Sequence, residues 1–268
     1  MIPIAQAWRS KCNTSGDQRM DNIWSALQRR LPAVQWQGPH RREAVIVAGG
    51  PSLSGQLDEV RRLKQAGAFV MAVNGAHDYL FRQDIAPDGM IMIDALPRKI
   101  TLVQNPRDGV VYYIGSQCDP SIFDALAEHE VMIWHPLSGD MPVEQIVGDT
   151  APCIGGGETA GLRAINLMIV LGYRSFHLFG FDSSFSDEQA HAYEQERGRN
   201  GVLPKRVEIH CGGRTFQSER WMATQVDHFL EFLAANGRGL NVTLYGDGLL
   251  QHAVETWLNR SAECHPSA

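Results

Sequence analysis

The chain has 268 residues, 44% of them hydrophobic and 20% charged, with a formal net charge of -6 at pH 7. That length and composition suit one large α/β domain able to bury a core without disulfides or metals. The acidic balance excludes the basic character of a general nucleic-acid binder, and no stretch reaches the roughly 18 consecutive apolar residues of a membrane span. The five cysteines, Cys12, Cys118, Cys153, Cys211 and Cys264, are scattered and show no CxxC or Cys/His ligand spacing. Neither a zinc site nor a disulfide framework is signalled, and a reduced, cytoplasmic setting is expected.

In chain order, Met20, Ile23, Trp24 and Leu27 recur at helical spacing and predict an amphipathic helix over 18–31. With the polar stretch that follows, residues 1–42 read as a helical preface and linker; the core is expected over 43–260, with a tail at 261–268. Ala44-Val45-Ile46-Val47-Ala48 is a short apolar run, the pattern of a strand buried on both faces. Gly49-Gly50-Pro51-Ser52 turns it into a helix over 57–66. Further strands are predicted at 69–73, 89–93, 110–114 and 131–134, with helices at 77–82 and 121–128. Gly155-Gly156-Gly157-Glu158-Thr159 opens an apolar helix over 160–171, and a strand at 175–179 ends in Gly180-Phe181-Asp182. A hairpin at 207–217, a helix at 219–236 and a last strand at 241–245 complete the pattern. Alternating strands and helices predict a Rossmann-like, mainly parallel, doubly wound sheet with helices on both faces.

In such sheets the ligand lies beyond the carboxyl ends of the strands, and the unusual residues fall there. Glycines after a buried strand expose backbone N–H groups, and the start of a helix adds partial positive charge, so Gly49, Gly50, Pro51 and Ser52 suit a phosphate. The same four residues also read as a plain turn with Ser52 as N-cap. Three successive glycines before an apolar helix read either as backbone laid bare for a ligand or as a flexible loop. Asn74 and Asp94 end consecutive strands; each is a contact for a nucleoside, or a turn residue. Asp182 is a candidate metal ligand or general base. His191 and Tyr193 lie on the polar stretch beyond it, as catalytic or surface groups. His210 and Cys153 read as structural. For Trp24, packing on its own core or on a second subunit stays open; for Trp221 and Met222, core packing is the default. Gly156→Val is expected to abolish nucleotide binding and leave the fold intact.

Taken together, AVIVAGGPSL, VNGA, MIMIDALP and GGGETAGLRAINLMIVLGYRSFHLFGFDSSF followed by HAY resemble the MptE-like family. That family is named for the archaeal 6-hydroxymethyl-dihydropterin diphosphokinase, and its domain also forms the core of motility accessory factors. A more distant resemblance is to bacterial sialyltransferases that use CMP-sialic acid, through the GPS turn and a strand ending in Gly-x-Asp. The resemblance implies a Rossmann-like domain that binds a nucleotide donor. Gly49, Gly50, Pro51 and Ser52 would form the phosphate turn, with Asn74 and Asp94 facing the nucleoside. Gly156, Gly157 and Thr159 would line the phosphates, and Asp182 and His191 would be catalytic.

Two transferase chemistries follow from it. A diphosphokinase would move diphosphate from ATP to a small hydroxymethyl acceptor such as a pterin, with Mg²⁺ held by Asp94 or Asp182 and help from Asp187 and Glu188. A glycosyltransferase would use a CMP- or UDP-activated sugar and a glycan or small-molecule acceptor, with Asp182 or His191 moving the proton. A nucleotide-binding module without turnover is the third expectation. A homo-oligomer is compatible with all three.

Overall fold

A computed structural model describes residues 14–137, 139–187, 189–194 and 205–263; Cys12, Cys264 and Glu188 lie outside the described residues. Helix α1 (Gly16–Gln28) starts at Ser15, whose hydroxyl accepts from the Gln18 N–H, and precedes β1 (Ala44–Val47). A 3-10 turn (Pro51–Gly55) and α2 (Leu57–Gln65) lead to β2 (Phe69–Val73), followed by α3 (Ala76–Arg82) and β3 (Gly89–Met92). A second 3-10 segment (Pro97–Val103), β4 (Val111–Gly115), α4 (Pro120–Ala125), β5 (Val131–Pro136) and α5 (Val143–Val147) come next. Then follow β6 (Cys153–Ile154), α6 (Ala160–Val170), β7 (Ser175–Phe179) and the hairpin of β8 (Arg206–Cys211) and β9 (Arg214–Glu219). The described chain closes with α7 (Arg220–Asn236), β10 (Asn241–Leu244) and α8 (Leu249–Glu263).

Eight strands form one sheet in the order β10-β7-β1-β2-β3-β4-β5-β6, and every neighbouring pair is parallel. Parallel strands need covered faces, because each turns alternate side chains to opposite sides. On β1, Ala44 and Ile46 join the core built with α6, α7 and α8, whereas Val45 and Val47 pack on the α2 and α3 side. The same alternation sends Tyr113 and Trp134 to the α6 side and Tyr112, Ile114 and Ile133 to the α4 side. This is the doubly wound α/β arrangement expected, with each fully buried Val, Ile or Leu contributing about 1.5–3 kcal/mol.

Chain order runs β1 to β6 in one direction; α6 then returns the chain to β7, on the other side of β1. The connections therefore diverge between β1 and β7, and the carboxyl ends of these two strands frame a crevice.

Residues 14–42 pack on the sheet. Asn22 is buried and donates to the Ala95 and Gln117 carbonyls at 3.3 and 2.9 Å. Ile23, 0% exposed, packs with Met141, Val143 and Val147. Ala33 pairs in parallel with Ile133, while the Gln37 and His40 N–H groups donate to Val170 and Gly172. Trp24 stays half exposed, and Trp221 is more than a third exposed, its indole N–H donating to Glu219 at 2.6 Å. Met222 is buried. Among the described residues no helix is long and apolar enough to cross a membrane.

The docking of α1 has a direct thermodynamic readout. Ile23→Ala should lower the unfolding free energy by ~2–4 kcal/mol in urea titrations, because the cavity lies between α1 and α5 with no solvent route to refill it. A helix that merely preceded the domain would give no change.

Candidate functional site at the strand ends

At the crevice, β1 and β7 continue to pair beyond their last strand residues. The Ala48 N–H donates to Phe179 and the Gly50 N–H to Gly180, both at 2.8 Å. A Cβ on Gly50 would collide with the Asp182 carboxylate and lie 2.5 Å from the Gly180 carbonyl, so glycine is required by the closeness of the two chains. The sequence alternative of Ser52 as N-cap is not what forms: Gly50 is the N-cap residue of the 3-10 turn, with Pro51 first inside it. Ser52 instead donates through its backbone N–H and its hydroxyl to Oδ2 of Asp182, at 3.3 and 3.0 Å.

Asp182 is 3% exposed. Gly246 and Gly248 hem it in on the side of the last strand: a Cβ on Gly248 would come within 2.6 Å of Asp182 Cβ. The Asp182 carbonyl also accepts from the Leu250 N–H at 3.1 Å. Burial pushes the Asp182 carboxyl above its ordinary value; the two Ser52 bonds pull the other way, and Asp247 adds to the rise.

Beyond Asp182 the chain folds back over the β1 turn. The Ala192 N–H donates to the Gly49 carbonyl at 3.0 Å, holding His191 and Tyr193 against the end of β1. A Cβ on Gly49 would lie 2.7 Å from the Tyr193 hydroxyl and 3.4 Å from His191 Nδ1. The Tyr193 ring stacks on Tyr79 of α3 with centroids 5.0 Å apart. Burial drives the Tyr193 hydroxyl well above the ordinary tyrosine value, so it remains a proton donor at neutral pH.

Asn74 closes β2 in the left-handed region, at φ +51°, and its Oδ1 is closed from solvent without a hydrogen-bond partner. A buried carbonyl left unpaired is costly, and a ligand N–H or O–H would relieve it. Asp94 is engaged: one oxygen accepts from the Leu96 N–H at 3.1 Å and the other lies 3.7 Å from Lys99 Nζ.

The second glycine turn has different neighbours. β6 is the far edge of the sheet, five strands from β1, about 24 Å at the usual spacing. Gly156 and Gly157 take φ of +110° and +81°, and the atoms nearest their added Cβ positions belong to Asn166 and Leu162 of α6 and to His228 of α7. Thr159 caps α6, its hydroxyl accepting from the Leu162 N–H at 3.3 Å. The first turn of α6 reaches back to the crevice, where Gly161 lies against the Phe181 ring. The expectation that Gly156→Val leaves the fold unperturbed is revised: at φ +110° a β-branched residue is strained and the new side chain meets the Asn166 amide, so the fold is kept at a cost in stability.

His210 is exposed on β8 beside Glu208 and Thr215, and Cys153 packs near Ile23 with its thiol pushed up by burial. Sequence reasoning passed over three parts of this region: the Ser52–Asp182 bonds, the Gly246 and Gly248 wall, and His228 with Asn166 beside the second turn. The Gly-Asp-Gly at 246–248 was the available signal for the wall; the other contacts join residues with no shared pattern.

Among the described residues no group of three or more His, Cys, Asp or Glu side chains could hold a metal ion. The two carboxylates proposed for Mg²⁺ each already carry partners. Asp182 is buried with an oxygen committed to Ser52, and Asp94 is committed to Leu96 and Lys99. At this end of the sheet the Asn74 oxygen is left to accept, while the Gly50 and Ser52 N–H groups of the turn are already bonded to Gly180 and Asp182.

An all-parallel, doubly wound sheet with its polar residues gathered at the switch point is the fold of a Rossmann-like ligand-binding domain. Residues 18–188, well over half the chain, match the model of the family described as 6-hydroxymethylpterin diphosphokinase MptE-like. The chain belongs to the MptE-like family, and with it to a family of transferases. Among solved structures it is similar to the MAf glycosyltransferase from Magnetospirillum magneticum AMB-1, at a TM-score of 0.64 and 14% identity, covering 92% of this chain and 42% of that one. The chain thus spans less than half the length of that protein, and the likeness is one of fold. A mammalian sialyltransferase in complex with Gal-β1-3GalNAc-ortho-nitrophenol aligns at 12% identity and a TM-score of 0.44, over 88% of this chain and 81% of that one; at that score the alignment carries no structural argument. No curated protein matches the sequence.

Two stability measurements follow from this geometry. A carboxyl whose folded pKa is raised favours the fold below its unfolded pKa, and that contribution is lost as pH rises through the folded pKa. Asp182→Asn keeps an acceptor for both Ser52 donors and removes the charge. Its melting temperature should match the wild type at acid pH and exceed it at neutral pH; a lower value at pH 7 would contradict the buried-charge account. Gly156→Val should melt several degrees below the wild type, by ~1–3 kcal/mol of strain.

Proposed function

We propose that the chain is a glycosyltransferase that takes a sugar from a CMP- or UDP-activated donor bound at the β1–β7 crevice. The observation that carries this reading is the arrangement at the end of β1. A histidine and a protonated tyrosine are folded onto the glycine turn, while both nearby candidate carboxylates are already engaged. In this reading these proton-transfer and hydrogen-bonding groups meet the donor phosphate. The fold likeness to a glycosyltransferase agrees with it.

In this reading the turn at Gly49, Gly50, Pro51 and Ser52 receives the donor phosphate, and the unpaired Oδ1 of Asn74 accepts from the nucleoside. The acceptor hydroxyl oxygen attacks the anomeric carbon as its bond to the phosphate oxygen breaks, the electron pair leaving with the phosphate. His191 takes the acceptor proton, and Tyr193 donates a hydrogen bond to the departing phosphate. Asp182 works as a positioning residue: it holds Ser52 and so sets the direction of the phosphate turn.

A second reading, diphosphate transfer from ATP to a small hydroxymethyl acceptor, is favoured by the family description over residues 18–188. A thermal-shift series with CMP, UDP and ATP, each with and without Mg²⁺, separates the two. The proposal expects CMP or UDP to raise the melting temperature without regard to magnesium. A rise confined to ATP with Mg²⁺ would replace it with the second reading, and no rise with any nucleotide would overturn the site. Where a donor is found, His191→Ala should lower kcat by ~10²–10⁴-fold and leave the nucleotide-induced shift in place.

A further inference from the structure

The loop that leads into β4 closes a pocket of about 310 Å³ against helix α3, a volume at the lower end of the range for small-molecule sites. Asp78, Phe81 and Arg82 of α3 line it on one side, and Asn105 and Arg107 of the loop on the other. None of Gly49, Ser52, Asn74, Asp182 or Tyr193 is among the lining residues, so the pocket is a different space from the β1–β7 crevice. Helix α3 stands between the two: Tyr79, less than one turn before Arg82, is stacked on Tyr193.

A buried relay fixes the two walls relative to each other. His77 Nδ1 lies 2.7 Å from Asp78 Oδ1, and Asn105 donates from Nδ2 to Asp78 Oδ2 at 3.1 Å. Burial raises the Asp78 carboxyl, but the His77 and Asn105 bonds and the Arg82 charge outweigh it and hold the group below its ordinary value. An ionised carboxylate only accepts. The neutral His77 ring therefore carries its proton on Nδ1, and its Nε2 accepts from the Tyr112 hydroxyl 3.2 Å away. That hydroxyl in turn accepts from the Arg107 backbone N–H at 2.7 Å. His77 and Tyr112 are both buried, so the loop is tied to α3 at Asn105 and again at Arg107.

What the relay holds in place is positive charge. The Arg107 guanidinium rests over the Phe81 ring, 5.5 Å from its centroid, a contact that orients the group without using its N–H donors. The carbonyl end of α3 is met by Arg61, which donates to the Gln83 carbonyl at 2.8 Å, so Arg82 is not spent there. Among the described residues neither the Arg82 nor the Arg107 guanidinium is held by a carboxylate or a carbonyl. Asp78, the one acid in the wall, has both oxygens committed to His77 and Asn105. Two cations facing one space repel each other, and Asn105 keeps a second amide N–H beside them. Guanidinium forks match the oxygens of a phosphoryl group, and a dianion balances both charges where a carboxylate balances one. We infer that this pocket is an oxyanion site for a doubly charged phosphoryl group, free phosphate or a small monoester, held between Arg82 and Arg107. The inference does not rest on the transferase reading above.

The test is calorimetric titration of the full chain with inorganic phosphate, with phenyl phosphate and with acetate. The Nε–H signals of Arg82 and Arg107 are followed in parallel by NMR, assigned with Arg82→Gln and Arg107→Gln. Phosphate or phenyl phosphate should bind and shift both signals, the tighter of the two naming the free ion or the ester as the source. Acetate should bind about tenfold more weakly. Each arginine variant should weaken phosphate binding by about tenfold and, both positions being exposed, melt with the wild type in the absence of ligand. Asp182→Asn, a change in the crevice, should leave the phosphate affinity as it is. Unchanged affinity in both arginine variants would overturn the inference, as would acetate binding as tightly as phosphate or silence of both phosphates at millimolar concentration. Loss of phosphate binding in Asp182→Asn would place the ion in the crevice and overturn it too. Failure of every nucleotide to bind, with phosphate still moving the two arginine signals, would sink the proposed function and leave this site standing.

Discussion

The pair of hydrogen bonds from Ser52 to Asp182 joins positions 130 residues apart, and the crevice between β1 and β7 is arranged around it. A carboxylate taken out of water must be met by donors, and Ser52 supplies two. The donors can reach it only because the chains on either side approach without side chains, at Gly50, Gly246 and Gly248. The lock fixes the direction in which the chain leaves β1, and with it the 3-10 turn that presents Pro51 and Ser52. The loop beyond Asp182 then lies over that turn, bringing Tyr193 onto Tyr79. A buried acid is a cost in stability at neutral pH, of the kind retained where function needs a particular geometry.

Helix α6 stands between the crevice and a second cavity, which it shares with α7. Its first turn touches the crevice through Gly161 against Phe181, whereas Leu162 and Asn166 line the pocket shared with α7. A helix that returns the chain from the far edge of the sheet to β7 is thus walled by a candidate site at its start and by that cavity along its side. The MptE-like fold sets where such spaces can occur; the residues that line them decide the chemistry. In this chain the crevice carries an unpaired Asn74 amide oxygen and a protonated Tyr193, and the cavity beside α7 carries the Glu231 carboxylate.

Much of the fold was legible because parallel strands buried on both faces read as uninterrupted apolar runs. The run at 44–48 became β1, and the runs at 69–73 and 175–179 became β2 and β7 at their predicted bounds. Elements with weak patterns were missed: α5 has five residues and β6 two, too short for any periodicity to register. Helix α8 was missed for a different reason. Leu249, Leu250, Ala253 and Val254 do recur at helical spacing, but they follow directly on a Gly-Asp-Gly turn that reads as an ending. The N-terminal segment looked separable because the stretch after its helix, up to Arg42, is largely polar; the apolar stripe of the helix was legible, but not what Ile23 and Asn22 meet, α5 and the Ala95 and Gln117 carbonyls.

By itself the sequence determined the class of fold and which residues stand at the carboxyl ends of the strands, since both depend on local features: apolar runs, and glycine, asparagine and aspartate where strands stop. It also carried the family motifs, whose order is a property of the chain. Tertiary structure alone decided which of those residues meet. Asp94 and Asp182 look alike in sequence as strand-end acids, yet one is held by its own turn and Lys99 and the other by Ser52 from across the crevice. The two glycine turns look alike as well, and they diverge because the strand order sets β6 at one edge of the sheet and β1 beside β7. Strand order is fixed by long-range pairing and packing, and those long-range contacts leave no mark on the local pattern of residues.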